Sequence, residues 1–477
     1  MAGERGQAPS PGTPLWTTGS WRTFATPDGR LLLLSIVLQL ALATLLGHSY
    51  DTRVFMAAGY LAGSGHNPYL PADLSALFHH ALFNANGTVG YPPPWPLLLG
   101  LLYSVSHALT PSLFVYNLMI KLPVIAANMG LAYLVAAVVQ NRGAAPEVAR
   151  KIWIFLLFNP FLLYFGAAWG QIDPIVALLA LAALVLVWAR RWAVSAVVLA
   201  LAVCFKPIAA PILLVVLVYL LSRSRPQALR YAALFLVCVF AFYLLPFFLL
   251  GWSLPAGHLV NAHFAMSGSM SFMAIVRLVR GSVSLPGHWW LLGLAWIPAL
   301  GAAALTLRRG VGDFDDLVRK SAALVLVFFL TRTWLAEPDV VLVLVLVLIP
   351  TSLGSLDRRA FAAIWVVPLL FTVFNASPLR LLWVAFPDPM VRWLGIAGQQ
   401  YGLAMVIGRG ACAAAWQITG WWVVVAFLRR GSAEVTSVDR PPGGRRSRRH
   451  AEVVVPVATA HAAGTDGPAT ESTAPWN

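Results

Sequence analysis

Residues 48–70 read H-S-Y-D-T-R-V-F-M-A-A-G-Y-L-A-G-S-G-H-N-P-Y-L and follow directly on an apolar run at 31–47. Asp51 therefore stands where that run should leave a bilayer. An arginine, a histidine and two tyrosines follow within some twenty residues. Between them Val54, Phe55, Ala58 and Leu61 recur at helical spacing, which predicts an amphipathic helix lying on the membrane surface. Ionisable residues beside apolar spans are placed there at a cost, so the stretch reads as the centre of a function.

The rest of the chain is the apolar frame around it. Hydrophobic residues make up 59% of the chain and charged residues 11%, with a mean hydropathy of +0.75. A soluble protein of 477 residues needs far more polar surface. The composition therefore predicts an all-α polytopic membrane protein, because a backbone in lipid must satisfy its polar groups within each segment. The runs at 31–46 and 340–349 lack the period-two alternation of a membrane β-barrel. A net charge of +15 does not point to nucleic acid, since the Lys and Arg residues sit in short loops between apolar runs. Cys204, Cys238 and Cys412 lie in apolar surroundings without metal-ligand spacing and read as core residues.

About twelve spans follow from the hydropathy: 31–47, 113–139, 152–165, 174–188, 192–205, 208–221, 231–250, 289–307, 321–330, 339–353, 361–374 and 402–428. Residues 96–109 are apolar but broken by Ser104, Ser106 and His107. Assigned to the outer interface, they let every later basic loop fall inside. Sixteen Lys and Arg residues then occupy inner loops after the first span, against seven in outer segments. Residues 1–30 and 429–477 read as disordered cytoplasmic tails, 31–428 as the membrane domain and 48–110 as its first extracytoplasmic loop. Several hairpins are short for a bilayer, which predicts a cavity on the outer side.

Under this topology Asp51, Asp173, Lys206, Arg332 and Glu337 share the outer face, whereas Lys121 and Arg409 stand within apolar segments. Asp173 precedes a proline and reads either as a helix cap or as a ligand. Lys206 has no acid near it in sequence, and a phosphate is the partner read for it. Arg332 and Glu337 read as an ion pair across their turn or as ligands. His66 and Asn67 read as shaping the G-S-G-H-N-P-Y turn or as lining the site. Lys121 reads as a snorkelling or helix-paired lysine.

The order of motifs resembles the GT-C superfamily of membrane glycosyltransferases, in particular the polyprenol-phosphate-mannose-dependent mannosyltransferases of bacteria and archaea. The residues that carry the resemblance are Asp51 after the first span, G-H-N-P-Y at 65–69, Y-P-P at 91–93, W-G-Q-I-D at 169–173, Lys206-Pro207, and R-T-W-L-A-E-P at 332–338. The resemblance implies a GT-C-like bundle of about twelve transmembrane helices with interfacial helices in the first extracytoplasmic loop. It also implies an inverting transfer of a sugar, most simply mannose, from a polyprenyl-monophosphate donor to an acceptor hydroxyl on the extracytoplasmic face of the cytoplasmic membrane. Asp51 would be the general base, with Lys206 and Arg332 on the donor phosphate. Tyr60, His66, Asn67, Tyr69, Tyr91, Trp169, Gln171, Asp173 and Glu337 would meet sugar or acceptor. The acceptor class is a glycolipid, lipoglycan or glycoprotein, and membrane lipids are the remaining partners. Many relatives carry paired acids in the first loop, but here Thr52 and Arg53 follow Asp51. No cofactor is expected and no metal ligand is assigned, although the reading leaves room for a divalent ion. The competing readings are a transporter or flippase of lipid-linked sugars, and a ligase or polymerase using a lipid diphosphate.

Overall fold

The structure is a computed structural model that describes residues 28–84, 87–253, 268–280, 287–375, 378–387, 393 and 402–429. Both terminal tails of the sequence reading lie outside the described residues, apart from Asp28 to Arg30 and Arg429.

Every span read from hydropathy is helical. Helix α1 (Gly29–Leu45) leads to α2 (Asp51–Gly63) and α3 (Pro94–Leu109), the two helices of the first loop. Then come α4 (Leu113–Asn141) and α5 (Pro146–Leu157), the latter prolonged through Pro160–Leu162 and a π-helical turn at Leu163–Trp169. Helices α6 (Asp173–Trp188), α7 (Trp192–Phe205), α8 (Pro211–Leu221) and α9 (Arg225–Val239, prolonged to Leu250) follow as hairpins. The chain continues with α10 (Met273–Arg280), α11 (Trp296–Thr306), α12 (Phe314–Thr331), α13 (Val340–Ser352), α14 (Arg358–Asn375) and α15 (Gly402–Arg429). Among the described residues five helical stretches are long and apolar enough to cross a membrane: Leu113–Asn141, Pro146–Trp169, Arg225–Leu250, Arg358–Asn375 and Gly402–Arg429.

Four helices begin earlier than the apolar runs do, at Pro146, Arg225, Phe314 and Arg358. Hydropathy marks where a helix becomes apolar, whereas the backbone starts where its first amide groups find partners. At α12 the Asp313 carboxylate accepts from the Asp316 N–H at 2.7 Å, and at α5 Pro146 supplies the first helical residue with no amide to lose. Helix α13 is buried on every side from Val340 to Thr351, as an all-apolar helix should be at the centre of a bundle.

The first loop is built by close helix contact. A Cβ added at Gly59 would stand 2.8 Å from the Leu99 carbonyl, and one at Gly63 2.8 Å from that of Gly100. Small residues thus let α2 lie directly on α3, so α2 packs on protein rather than on membrane alone: Val54 to Gly59 are all buried. The segment before α10 pairs back onto the later turn through a two-residue parallel ladder, β1 (Gly268–Ser269) with β2 (Trp334–Leu335).

Candidate functional site

All the turns that carry the sequence motifs fall at one end of the helices. Asp51 follows the C-terminus of α1; Trp169 to Asp173 join α5 to α6; Lys206 joins α7 to α8; Arg332 to Asp339 join α12 to α13. Ion pairs tie up the opposite end, where α1, α5 and α12 begin and α4 ends: Arg142 with Asp315 at 3.1 Å, Asp316 with Lys320 and Arg319 at 2.8 Å each, and Arg150 with Asp28 at 3.4 Å.

Asp51 opens α2, and its Oδ2 accepts from the Trp169 indole N–H at 2.7 Å and from Gln171 Nε2 at 2.8 Å. The His48 ring stacks on Trp169 with centroids 4.0 Å apart and fixes its orientation. His48 Nδ1 accepts from the Asp51 amide at 3.3 Å and lies 3.4 Å from Oδ2, while its buried Nε2 has no partner among the described residues. No donor among the described residues reaches Asp51 Oδ1, and the side chain keeps 26% of its surface open. Burial pushes this carboxyl up, but the contact with His48, the Trp169 N–H and the charge of Lys206 more than offset it and hold the group below the ordinary carboxylate value.

Gln171 links this carboxylate to a second cluster. Its Oε1 accepts from the Tyr91 hydroxyl at 3.0 Å, and the Tyr91 ring lies under Lys206 Nζ at 5.6 Å. Lys206 bonds to Asp173 Oδ1 at 2.8 Å and lies 2.5 Å from Asp339 Oδ1. The absence of a neighbouring acid in sequence therefore misleads: Lys206 has two acidic partners, delivered by α6 and α13. Asp173 is no cap either, since its carboxylate makes no bond to the helix start and is committed to Lys206. Burial draws the Lys206 ammonium down, but the two carboxylates keep it well above its ordinary value.

Beside this cluster opens a cavity of about 620 Å³, lined by Tyr91, Lys206, Trp296, Phe328, Arg332, Trp334 and Asp339 among others. Arg332 is 8% exposed, stands over the Phe328 ring at 5.0 Å and makes no ion pair among the described residues. The pairing of Arg332 with Glu337 read from their spacing does not form. Glu337 turns away into a separate buried site, where it accepts from Ser269 Oγ at 3.0 Å and Asn375 Nδ2 at 2.6 Å. Burial pushes its carboxyl up, and the charge of Asp339 adds to the rise.

The fold thus brings together Asp51, Tyr91, Trp169, Gln171, Asp173, Lys206 and Arg332. Other residues of the sequence reading stand elsewhere. Tyr60 packs edge-on to Tyr103 of α3, and His66 is exposed. Asn67 shapes its own turn by accepting from the Tyr69 amide and donating to the Ser253 carbonyl. Tyr69 is buried against Phe247 and Trp252, and its hydroxyl donates to the Tyr91 carbonyl at 3.1 Å, so it supports the site from beneath. Asp339 and His48 were missed. Asp339 stood in E-P-D next to Glu337 but was read as the start of a span; the isolated Lys206 was the signal that an acid had to come from elsewhere.

No family model matches the sequence, and no curated protein matches it. Among solved structures the chain is similar to a membrane-lipid-bound one. That structure is ArnT from Cupriavidus metallidurans, in a crystal structure bound to undecaprenyl phosphate. Sequence identity is 17% and the TM-score 0.46, over 84% of this chain and 76% of that one.

Proposed function

We propose that the protein is an integral membrane glycosyltransferase that moves a sugar from a polyprenyl-monophosphate donor to an acceptor hydroxyl, with Asp51 as general base and inversion at the anomeric carbon. The observation that carries this reading is the asymmetry of the Asp51 carboxylate. One oxygen is held by two N–H donors and the other is open, and Gln171 links this carboxylate to Tyr91 in the wall of a charged, otherwise apolar cavity.

An acceptor hydroxyl lying on Oδ1 would lose its proton to Asp51 as its oxygen bonds to the anomeric carbon. The low pKa keeps the base ionised, and proton transfer follows bond formation. On the opposite side the sugar–phosphate bond breaks and charge grows on the departing lipid phosphate, which calls for a fixed cation. Arg332 suits that role best, because it is buried in the cavity wall without an ion-pair partner among the described residues, Asp339 being held by Lys206. Lys206 is already shared by two acids and contributes mainly by ordering them. Trp169 and Gln171, spent on Asp51 and Tyr91, position the base rather than the sugar. The apolar walls formed by Trp296, Phe328 and Trp334 suit an isoprenoid chain. Mannose is the sugar favoured by the motif order, and the reading requires no metal. The ion-paired opposite end weighs against a path through the protein, and hence against a transporter.

The test is the anomeric configuration of the product made from synthetic β-linked polyprenyl-phosphate-mannose and a membrane glycolipid extract, read by NMR. An α-glycoside supports single displacement at Asp51; a β-glycoside contradicts it.

A further inference from the structure

Helix α1 ends inside the protein, and its last carbonyls are met by side chains of α4 rather than by water. Asn117 Nδ2 donates to the carbonyls of Ala43 at 2.6 Å, Leu46 at 2.9 Å and Thr44 at 3.1 Å. One turn further along the same face, Lys121 Nζ donates to Ala43 at 3.2 Å, to Leu46, and to Ala168 at 2.9 Å. Lys121 is 1% exposed. It does not snorkel and pairs with no acid among the described residues; of the two sequence-based readings it is the helix-paired one that the contacts match.

Nζ thus meets three carbonyl oxygens, as many as a lysine has N–H groups for when it is protonated. A buried charge without a carboxylate is costly. What offsets the cost here is the negative end of two helical segments, α1 and the π-helical turn Leu163–Trp169, meeting at one point. The W-G-Q turn closes over the lysine stem. Gly170 has a φ of +91°, and a Cβ there would stand 2.9 Å from Lys121 Cε, so only glycine satisfies both backbone and space.

The two backbone segments are those that build the base. Leu46 lies five residues before Asp51, and Ala168 immediately precedes Trp169. We propose that Lys121 is a positioning residue for Asp51: one buried amino group locks the end of α1 to the turn that delivers the Trp169 and Gln171 donors to the Asp51 carboxylate. The inference rests on the reading of Asp51 as the base, but its test does not need sugar transfer.

Lys121→Met keeps the length of the stem and removes the three N–H bonds. In purified full-length protein, the Asp51 carboxyl is titrated by infrared difference spectroscopy, its band assigned by loss in Asp51→Asn. The titratable and charged groups that face it, His48, Tyr50, Tyr91 and Lys206, are all retained. The midpoint is expected to rise by about one unit, a tenfold change in proton affinity. Where transfer is measurable, kcat falls about a hundredfold at nearly constant donor KM, since a misplaced base loses rate rather than binding. A midpoint unmoved in a folded Lys121→Met protein overturns the proposal. Should that variant fail to fold, Asn117→Ala decides: it frees only the α1 side, so a smaller rise supports the lock and an unchanged midpoint overturns it. Failure of every transfer assay with a displaced midpoint would remove the functional reading and leave this one standing.

Discussion

Asp51 and Asp173 stand at the same end of the molecule, and the protein holds them in opposite ways. Asp173 binds through Oδ1 a cation that it shares with Asp339, and its other oxygen, though without a partner among the described residues, is wholly buried. Asp51 is held by neutral N–H groups on one oxygen, while the other oxygen is open. A carboxylate bonded to a lysine is part of the architecture; one gripped from a single side can do chemistry. The difference teaches that the count of acids on a face matters less than what each acid has left over after its partners are satisfied.

Rate and stability should separate along that line. Asp51→Asn keeps the shape and the donors, so it should lose about 10²–10⁴-fold in kcat, the usual worth of a general base, with little change in thermal stability. Lys206→Met would strand Asp173 and Asp339 together in a buried site. It should destabilise the protein by about 3–5 kcal/mol, read as a fall in midpoint of thermal unfolding in detergent. A Lys206→Met protein as stable as wild type would dissolve the contrast.

Arg332→Gln should lower kcat by about a hundredfold by removing the charge that meets the leaving phosphate, without destabilising, because no carboxylate is stranded. Trp169→Phe is smaller still, about tenfold, since Gln171 remains as a donor. Its sharper readout is pH. The wild-type base has a depressed pKa, so activity should be lost only as pH falls below the ordinary carboxylate range; removing one donor should move that acid limb upward. Least of all, Glu337→Gln should leave transfer nearly intact. The Glu337 carboxyl is raised by burial, so the stability it confers in its neutral form is lost as pH rises through that raised value. The amide should hold stability constant over the same range.

The membrane fold was legible in the sequence because apolar runs and basic loops report burial in lipid directly. Helix starts were not, since Asp313 and Pro146 act through caps that hydropathy does not register. Asp51, Trp169, Gln171 and Tyr91 were legible as motifs, and the fold does bring them together. Their division of labour was hidden, because it depends on which N–H meets which oxygen across more than a hundred residues. A similar distance in sequence hid Asp339 from Lys206, and Glu337 went to Asn375, 38 residues on, rather than to Arg332.

The most direct test sets the two acids against each other: mannosyl transfer from polyprenyl-phosphate-mannose by Asp51→Asn and Asp173→Asn, each compared with wild type at equal folded concentration. The account predicts that Asp51→Asn loses about 10²–10⁴-fold in turnover while Asp173→Asn, with Asp339 still on Lys206, retains it within about tenfold. Turnover undiminished in Asp51→Asn and vanishing in Asp173→Asn would contradict it, and would move the base to the lysine-bound side of the site.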